Sequence, residues 1–144
     1  MQKGKILAID YGLAAIGLAI CDDSQQFVFG KGVLNPLKGL KPVFEKILKF
    51  CRDEQVQTVV VGLPLGSEGE ETPQTARVRK FITKLEDFLK QNGFVPSFVF
   101  EDESFTSYEA DKHLADLGLK GSQRKQYEDE LAAILILKKH LKLL

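Results

Sequence analysis

Cysteine is scarce in this chain of 144 residues, since only Cys21 and Cys51 are present. Two thiols without a C-x-x-C spacing exclude a disulfide-stapled scaffold and a cysteine-based metal site, and they favour a reduced, cytoplasmic protein. The first residues, MQKGKILAIDYG, reach an acidic side chain too soon for a signal peptide. The longest apolar run, Leu131–Leu137, is too short to span a bilayer, so we expect no membrane association.

An excess of charge of either sign is also absent, because 20 basic residues balance 20 acidic ones. A strongly basic chain would indicate a polyanion partner over its whole surface. Here, any nucleic-acid surface has to come from local segregation of charge. The length fits one domain, residues 1–144, and a hydrophobic content of 44% is enough to form a core.

Hydrophobic periodicity predicts the element order βββαβαβαα. Three apolar segments, Lys5–Asp10, Ala15–Cys21 and Phe27–Val33, are separated by turns short enough for antiparallel hairpins. The apolar runs Thr58–Val61 and Phe98–Glu101 each follow a predicted helix and indicate buried parallel strands. Helices are predicted around Val43, Ile47, Leu48 and Cys51, from the Thr72 cap to Asn92, from Thr106 to about Leu117, and from Ser122 to His140.

These elements predict an α/β fold. We expect a mixed five-stranded sheet, made of a three-stranded antiparallel meander and two parallel strands, with helices on both faces. Ligand sites in such sheets gather at the carboxyl ends of the parallel strands.

Acidic residues stand at the ends of two predicted strands. Asp10 ends the first strand before Tyr11 and Gly12, where it either binds a ligand or stabilises the turn. The run Glu101–Glu103 follows the last strand. Adjacent like charges raise one another's pKa unless a cation lies between them, although a solvated strand end is the alternative. Spacing alone does not choose between Glu101 and Glu103.

A further acidic residue, Asp129, shares the apolar face of the last predicted helix with Ala133 and Ile136. A carboxylate there is costly unless it is paired or bound to metal, whereas a partly exposed place favoured by the helix dipole is the alternative. Its neighbours Glu128 and Glu130 are interpreted as solvent-facing. Oxygen ligands without Cys or His select hard cations, so the three acidic groups predict a Mg²⁺ or Mn²⁺ site.

Four blocks of the sequence together resemble the YqgF family, whose members are named Holliday junction resolvases or pre-16S rRNA nucleases. The blocks are IDYGLAAIGLAI, VVVGLPLGSEGEETPQTARVRKF, EDESFTSYEA and EDELAAILIL, in the order and spacing of the family and over nearly the whole chain. The resemblance implies an RNase H-like fold and a catalytic, metal-binding triad at Asp10, Glu103 and Asp129. It thereby favours Glu103 over Glu101.

The chain departs from the family pattern at two places. The family usually has Lys and Arg where this chain has Ala14 and Ala15, and it usually has Arg where this chain has Ser104. Both departures remove cations near the predicted site, while all three acids are kept.

Basic residues flank the predicted site in two clusters. Arg77, Lys80 and Lys84 recur at i, i+3 and i+7 on the second predicted helix, and Arg124 and Lys125 precede Asp129. Such cations could hold phosphates, although ordinary solubilising charge is the alternative for each.

Two glycine-containing turns are further candidates for substrate contact, on the resemblance to the family. They are the turn at Gly12 and the loop that begins at Gly62 and Pro64. The loop lacks the G-K-[ST] of a P-loop. Its glutamates, Glu68, Glu70 and Glu71, would repel a polyanion, so we expect any contact to come from backbone amides.

The predicted function is therefore metal-dependent phosphodiester hydrolysis, on structured RNA and, by the resemblance, at the 5′ end of pre-16S rRNA. The alternatives are a four-way DNA junction resolvase and a nucleic-acid-binding module with weak or lost turnover. A phosphotransferase of the actin-like ATPase fold is disfavoured by the short length. Each clear helix has one apolar stripe, which the sheet uses, so we expect a monomer or a weak dimer.

Overall fold

The computed structural model describes residues 4–103, 118 and 121–144, with the side chains of residues 121–126 outside that description. The strands are β1 (Lys5–Tyr11), β2 (Ile16–Cys21), β3 (Val28–Leu34), β4 (Val56–Leu63) and β5 (Ser97–Asp102). The helices are α1 (Leu40–Glu54), α2 (Pro73–Gln91) and α3 (Gly121–His140), and a 3₁₀ turn at Pro36–Lys38 precedes α1. The helix predicted from Thr106 to Leu117 lies outside the described residues.

The strands form one mixed sheet in the order β3-β2-β1-β4-β5. The first three strands pair antiparallel, because the turns between them are short, and β1, β4 and β5 pair in parallel through crossovers. The predicted mixed five-stranded sheet is confirmed. Its register sets Asp10 opposite Gly17 on β2 and Gly62 opposite Glu101 on β5.

Helix α2 begins as the sequence predicts. Thr72 accepts a hydrogen bond from the amide of Thr75, and the Thr75 hydroxyl accepts one from the amide of Thr72 at 2.9 Å, while Pro73 occupies the first helical position. This reciprocal cap satisfies two amides that a helix start leaves unpaired. The cap fixes the position at which α2, with its basic residues, leaves the loop after β4.

The two faces of the sheet differ in the size of their side chains. The face under α1 and α2 carries large apolar residues: Leu7, Ile9, Ile16, Leu18, Ile20, Val59 and Val61. The face under α3 carries Ala8 and Ala19 beside the larger Ile6 and Val60, and Gly17, Gly30 and Gly62 lie where the backbone or side chains of α3, or Glu103, come closest. The prediction of helices on both faces is confirmed, and the small residues let α3 approach the sheet closely.

Two glycines mark the closest approach of α3. A Cβ at Gly17 would lie 1.9 Å from the carbonyl oxygen of Asp129, and one at Gly30 would lie 1.8 Å from Oε1 of Glu130. Glu130 also accepts a hydrogen bond from the amide of Gly32 at 3.0 Å. The interpretation of Glu130 as solvent-facing was therefore wrong, because its carboxylate ties α3 to the meander.

Strand β5 is only half-buried, so the prediction of a buried strand at Phe98–Glu101 was wrong in that respect. Phe98 and Val99 are partly covered, and Phe100 is 36% exposed. The cause is position, because β5 lies at one end of the described sheet and the helices cover the central strands more fully. No helix in the described part of the chain combines the length and the apolar character that crossing a membrane requires.

The contact of α3 with the two glycines predicts unequal costs for two matched substitutions. Gly17→Ala should lower the free energy of unfolding by about 1–3 kcal/mol, because the new methyl group meets the backbone of α3, which cannot rotate away. Gly30→Ala should cost less, because the side chain of Glu130 can move. Urea unfolding of both variants checks this ranking, and equal losses would show that α3 adapts freely.

Candidate active site

Glu103 is the residue that directly follows β5, and its side chain forms part of the candidate site. Its amide donates a hydrogen bond to the carbonyl of Leu63 at 3.2 Å, which holds it beside the end of β4. Its carboxylate lies over Gly62, where an added Cβ would be 2.8 Å from Oε1 of Glu103 and 2.4 Å from Cδ1 of Ile136. The structure thus gives Gly62 a packing role, because only glycine leaves room there for both side chains.

Asp10 and Glu103 share a hydrogen bond across the carboxyl ends of β1 and β5. Burial, this bond and the charges of Asp10 and Asp102 raise the pKa of Glu103 from its ordinary 4.5 to about 9. The raised pKa favours a proton held in the hydrogen bond between the two carboxyl groups. The two acids form a site that either keeps this proton or exchanges it for another cation.

The third predicted acid, Asp129, reaches the same edge of the sheet through its backbone. Its carbonyl oxygen lies over Gly17, and Gly17 is the residue of β2 that pairs with Asp10. Asp129 itself is half-buried in α3. Among the described residues, no three His, Cys, Asp or Glu side chains lie close enough together to form a metal cluster. Of the three predicted acids, Asp10 and Glu103 are in contact, and Asp129 lies on the adjoining helix α3.

The other acids of the strand end have a different role. Glu101 pairs with Nδ1 of His140 at 3.0 Å, and Nζ of Lys139 donates to the carbonyl of Asp102 at 2.8 Å. Both contacts fasten the end of α3 to β5. The sequence did not predict this pair, because 39 positions separate His140 from Glu101 and no spacing rule links them.

The predicted basic stripe lies on the opposite face of the sheet from Glu103. Arg77, Lys80 and Lys84 line one cavity of about 200 Å³, together with Tyr11, Leu40 and Phe81. Arg79 turns away from it and pairs with Glu71 at 2.8 Å. The side chains of Arg124 and Lys125 lie outside the described residues. The first strand was predicted to end at Asp10, but β1 extends to Tyr11, so the side chains of these two residues point to opposite faces of the sheet.

The loop after β4 uses several of its amides internally. Gly66 donates to the carbonyl of Glu70 at 2.8 Å, Gly69 donates to that of Gly66 at 2.9 Å, and Glu68 donates to the Glu70 side chain at 3.0 Å. Pro64 accepts a hydrogen bond from the hydroxyl of Thr75. A substrate contact through these three amides would therefore replace existing hydrogen bonds.

Gly12 belongs to a tight turn. A Cβ at Gly12 would lie 2.8 Å from the carbonyl oxygen of Ala15. The turn thus brings Asp10 and the start of β2 together without a protruding side chain at this position.

Comparisons with known proteins match this fold and most of this chain. The sequence profile of the family described as "RuvX: Holliday junction resolvase" matches residues 4–143. A protein of Roseiflexus sp. (strain RS-1), named "Putative pre-16S rRNA nuclease", is 33% identical over 97% of this chain and 95% of its own length. A protein of Maridesulfovibrio salexigens with the same name is 35% identical over 92% and 94%.

Solved structures of resolvases share the fold. The structure titled "T. thermophilus RuvC in complex with Holliday junction substrate" superposes with a TM-score of 0.58 at 14% identity, covering 97% of this chain and 96% of that one. The yeast mitochondrial resolvase Ydc2 gives 0.54 at 11% identity, with 99% and 82% covered. These identities establish the RNase H-like fold alone. The family match and the relatives above 30% identity show more: this chain belongs to the RuvX (YqgF) family and is a nuclease, a hydrolase of phosphodiester bonds.

Proposed function

We propose that this chain cleaves structured RNA, namely the 5′ region of a 16S rRNA precursor, at the edge of the sheet formed by Asp10, Glu103 and Asp129. The choice of RNA is supported by the name of the relatives that share about a third of its residues. An RNA-processing role agrees with a cytoplasmic location, as do the two buried free thiols of Cys21 and Cys51.

The observation that carries this proposal is the contact between Asp10 and Glu103. The two carboxyl groups share one hydrogen bond, and burial together with the nearby charge of Asp10 raises the pKa of Glu103, so both groups can be ionised only when a cation offsets their charges. Two neighbouring carboxyl groups repel each other when both are ionised, so their pairing is not a stabilising contact at every pH. The arrangement instead suits the recruitment of a cation during the reaction.

The donor set fits a hard divalent cation. Asp10 and Glu103 offer only oxygen atoms, which Mg²⁺ and Mn²⁺ prefer, and Asp129 adds a third carboxylate from the adjoining helix. When bound, such an ion supplies an activated water and stabilises the leaving oxygen of a phosphodiester. The residues of the chain would hold and orient it, with Glu103 deprotonated and placed over Gly62 beside Ile136.

Resolution of four-way DNA junctions is the second candidate function. The family description names it, and the fold matches a resolvase solved with its junction substrate. A resolvase needs two symmetric cuts and hence two active sites related by a two-fold axis. The oligomeric state therefore separates the two functions.

The first prediction concerns the acids as a unit. Asp10→Asn, Glu103→Gln and Asp129→Asn should each abolish cleavage of a labelled structured RNA, because each removes a carboxylate that the reaction requires, while circular dichroism stays unchanged. Asp23→Asn, in the exposed turn before β3, is the matched control and should retain activity. Full activity of folded Asp10→Asn would contradict the proposed site, and no cleavage by the unmodified chain would leave it a binding module.

The second prediction concerns pH. The pKa of Glu103 is higher in the folded chain than in the unfolded chain, so in EDTA the stability that Glu103 contributes should be complete below pH 4.5 and decline as the pH rises toward 9. Glu103→Gln should flatten this decline in a series of thermal melts. The exposed Glu45→Gln should not, and a decline of equal slope in both variants would assign the effect to other groups.

The third prediction concerns the cation. Mg²⁺ or Mn²⁺ at mildly alkaline pH should restore the stability lost in EDTA and support cleavage, whereas Ca²⁺ should bind without supporting cleavage because its coordination is looser. Thermal melts and RNA cleavage with each ion measure both effects. Cleavage that persists after exhaustive chelation would exclude a divalent cation from the reaction.

The fourth prediction separates RNA from junction DNA. We expect a monomer or a weak dimer in sedimentation at micromolar concentration, because the apolar stripes of the described helices are used by the sheet. Cleavage of structured RNA should then exceed that of a four-way junction. A tight dimer that cuts junctions symmetrically would instead establish the resolvase function.

A further inference from the structure

Tyr11 borders a small basic cavity on the face of the sheet opposite the acids. The cavity holds about 200 Å³, and its polar lining comes from Arg77, Lys80 and Lys84 of α2. The nuclease chemistry proposed above uses none of these four residues. An aromatic ring beside several cations is the combination that proteins use to hold single-stranded nucleic acid.

The ring of Tyr11 is held rigidly by a row of aromatic side chains. It stacks on Phe81 with the ring centroids 4.4 Å apart and the planes 29° apart. Phe81 packs on Phe44 at 5.6 Å, and Phe44 packs on Phe88 at the same distance. Phe81 and Phe44 are only 3% and 7% exposed, so the row is anchored in the core. A ring fixed in this way loses little conformational freedom when a base stacks on it.

The cations of the cavity form no ion pairs within the part of the chain that the structure describes. Neither Lys80 nor Lys84 has an acidic partner there, and Arg77 donates to the neutral side chain of Gln74 at 2.7 Å. In contrast, Arg79 on the same helix is paired with Glu71. The stripe therefore presents a local positive charge on a chain whose net charge is zero.

Strand geometry links this cavity to the acids. Asp10 and Tyr11 are adjacent on β1, and successive side chains of a strand point to opposite faces. Tyr11 packs with the core under α1 and α2, whereas Asp10 contacts Glu103, which lies beside Ile136 of α3. A strand of nucleic acid that crosses the end of β1 therefore passes from the basic cavity directly to the acidic pair.

We propose that Tyr11, Arg77, Lys80 and Lys84 form a subsite for single-stranded RNA that flanks the cleaved bond. One base stacks against Tyr11, the phosphates on either side contact the cations, and the chain continues over the end of β1 to Asp10 and Glu103. A duplex cannot use this subsite, because its base faces are already stacked on one another. The purpose of the subsite rests on the proposed nuclease function, but its binding does not.

The test measures binding without cleavage, in EDTA, by fluorescence anisotropy of a short uridine-rich single-stranded RNA. Tyr11→Leu should weaken binding by about five- to 150-fold, the range expected for the loss of one base–aromatic stack, and Tyr11→Phe should retain affinity. A 5-iodouridine version of the RNA should form a photocross-link at Tyr11. A duplex of the same sequence should bind independently of Tyr11.

The contribution of the cations is tested by salt dependence. Lys80→Ala/Lys84→Ala should lower the slope of log Kd against log salt by about 0.7 for each phosphate that a lysine no longer neutralises. Lys46→Ala/Lys90→Ala removes the same charge from exposed positions outside the cavity and should leave the slope unchanged. Equal slopes in both double variants would overturn the assignment of the lysines to phosphates.

Two further outcomes decide the subsite. Unchanged affinity of a folded Tyr11→Leu variant, or cross-links that avoid Tyr11, would overturn it. Where that variant fails to fold, the cross-link in the unmodified protein decides alone. Single-strand binding that depends on Tyr11 without any cleavage in Mn²⁺ would support the subsite and contradict the proposed nuclease function, so the two failures are distinguishable.

Discussion

The close approach of α3 to the sheet is the constraint on which the site depends. A helix lies this close to a sheet only where side chains beneath it are absent or small, and Gly17 provides that space directly under the backbone of Asp129. Because Gly17 pairs with Asp10, the same contact carries Asp129 toward the end of β1. Gly62 has the same role at the other end of the site, because its missing side chain leaves room for Glu103 and Ile136.

Elements with a strong local signal could be predicted from the sequence. The short turns around β2 indicated hairpins, and the cap at Thr72 fixed the start of α2, because both depend on residues close together in the chain. The place of Asp10 followed from the end of an apolar run. The choice of Glu103 over Glu101 did not follow from spacing and came from family resemblance. The contact with Asp10 now gives a physical reason for it.

Features that depend on packing between distant segments could not be predicted. Glu130 bonds to Gly32 across 98 positions, and His140 pairs with Glu101 across 39, so no periodicity within either segment could reveal them. The partial exposure of β5 had the same origin, because an edge strand and a central strand can have the same apolar composition. These contacts hold the middle and the C-terminal end of α3 against the sheet, so charged side chains contribute to the placement of this helix beside its apolar stripe.

Under the proposed function, the alternation of β1 separates the residues that bind the substrate from those that cleave it. Clustered carboxylates repel a polyanion, while cations placed among them would neutralise the charge that recruits a metal ion. This chain separates the two on opposite faces of one strand: Asp10 joins the acids beside α3, and Tyr11 joins the basic stripe of α2. Adjacent Cα atoms are only about 3.8 Å apart, so this separation costs little distance. If the proposed subsite binds RNA, a chain with no net charge attracts its substrate on one face and keeps its acidic pair intact on the other.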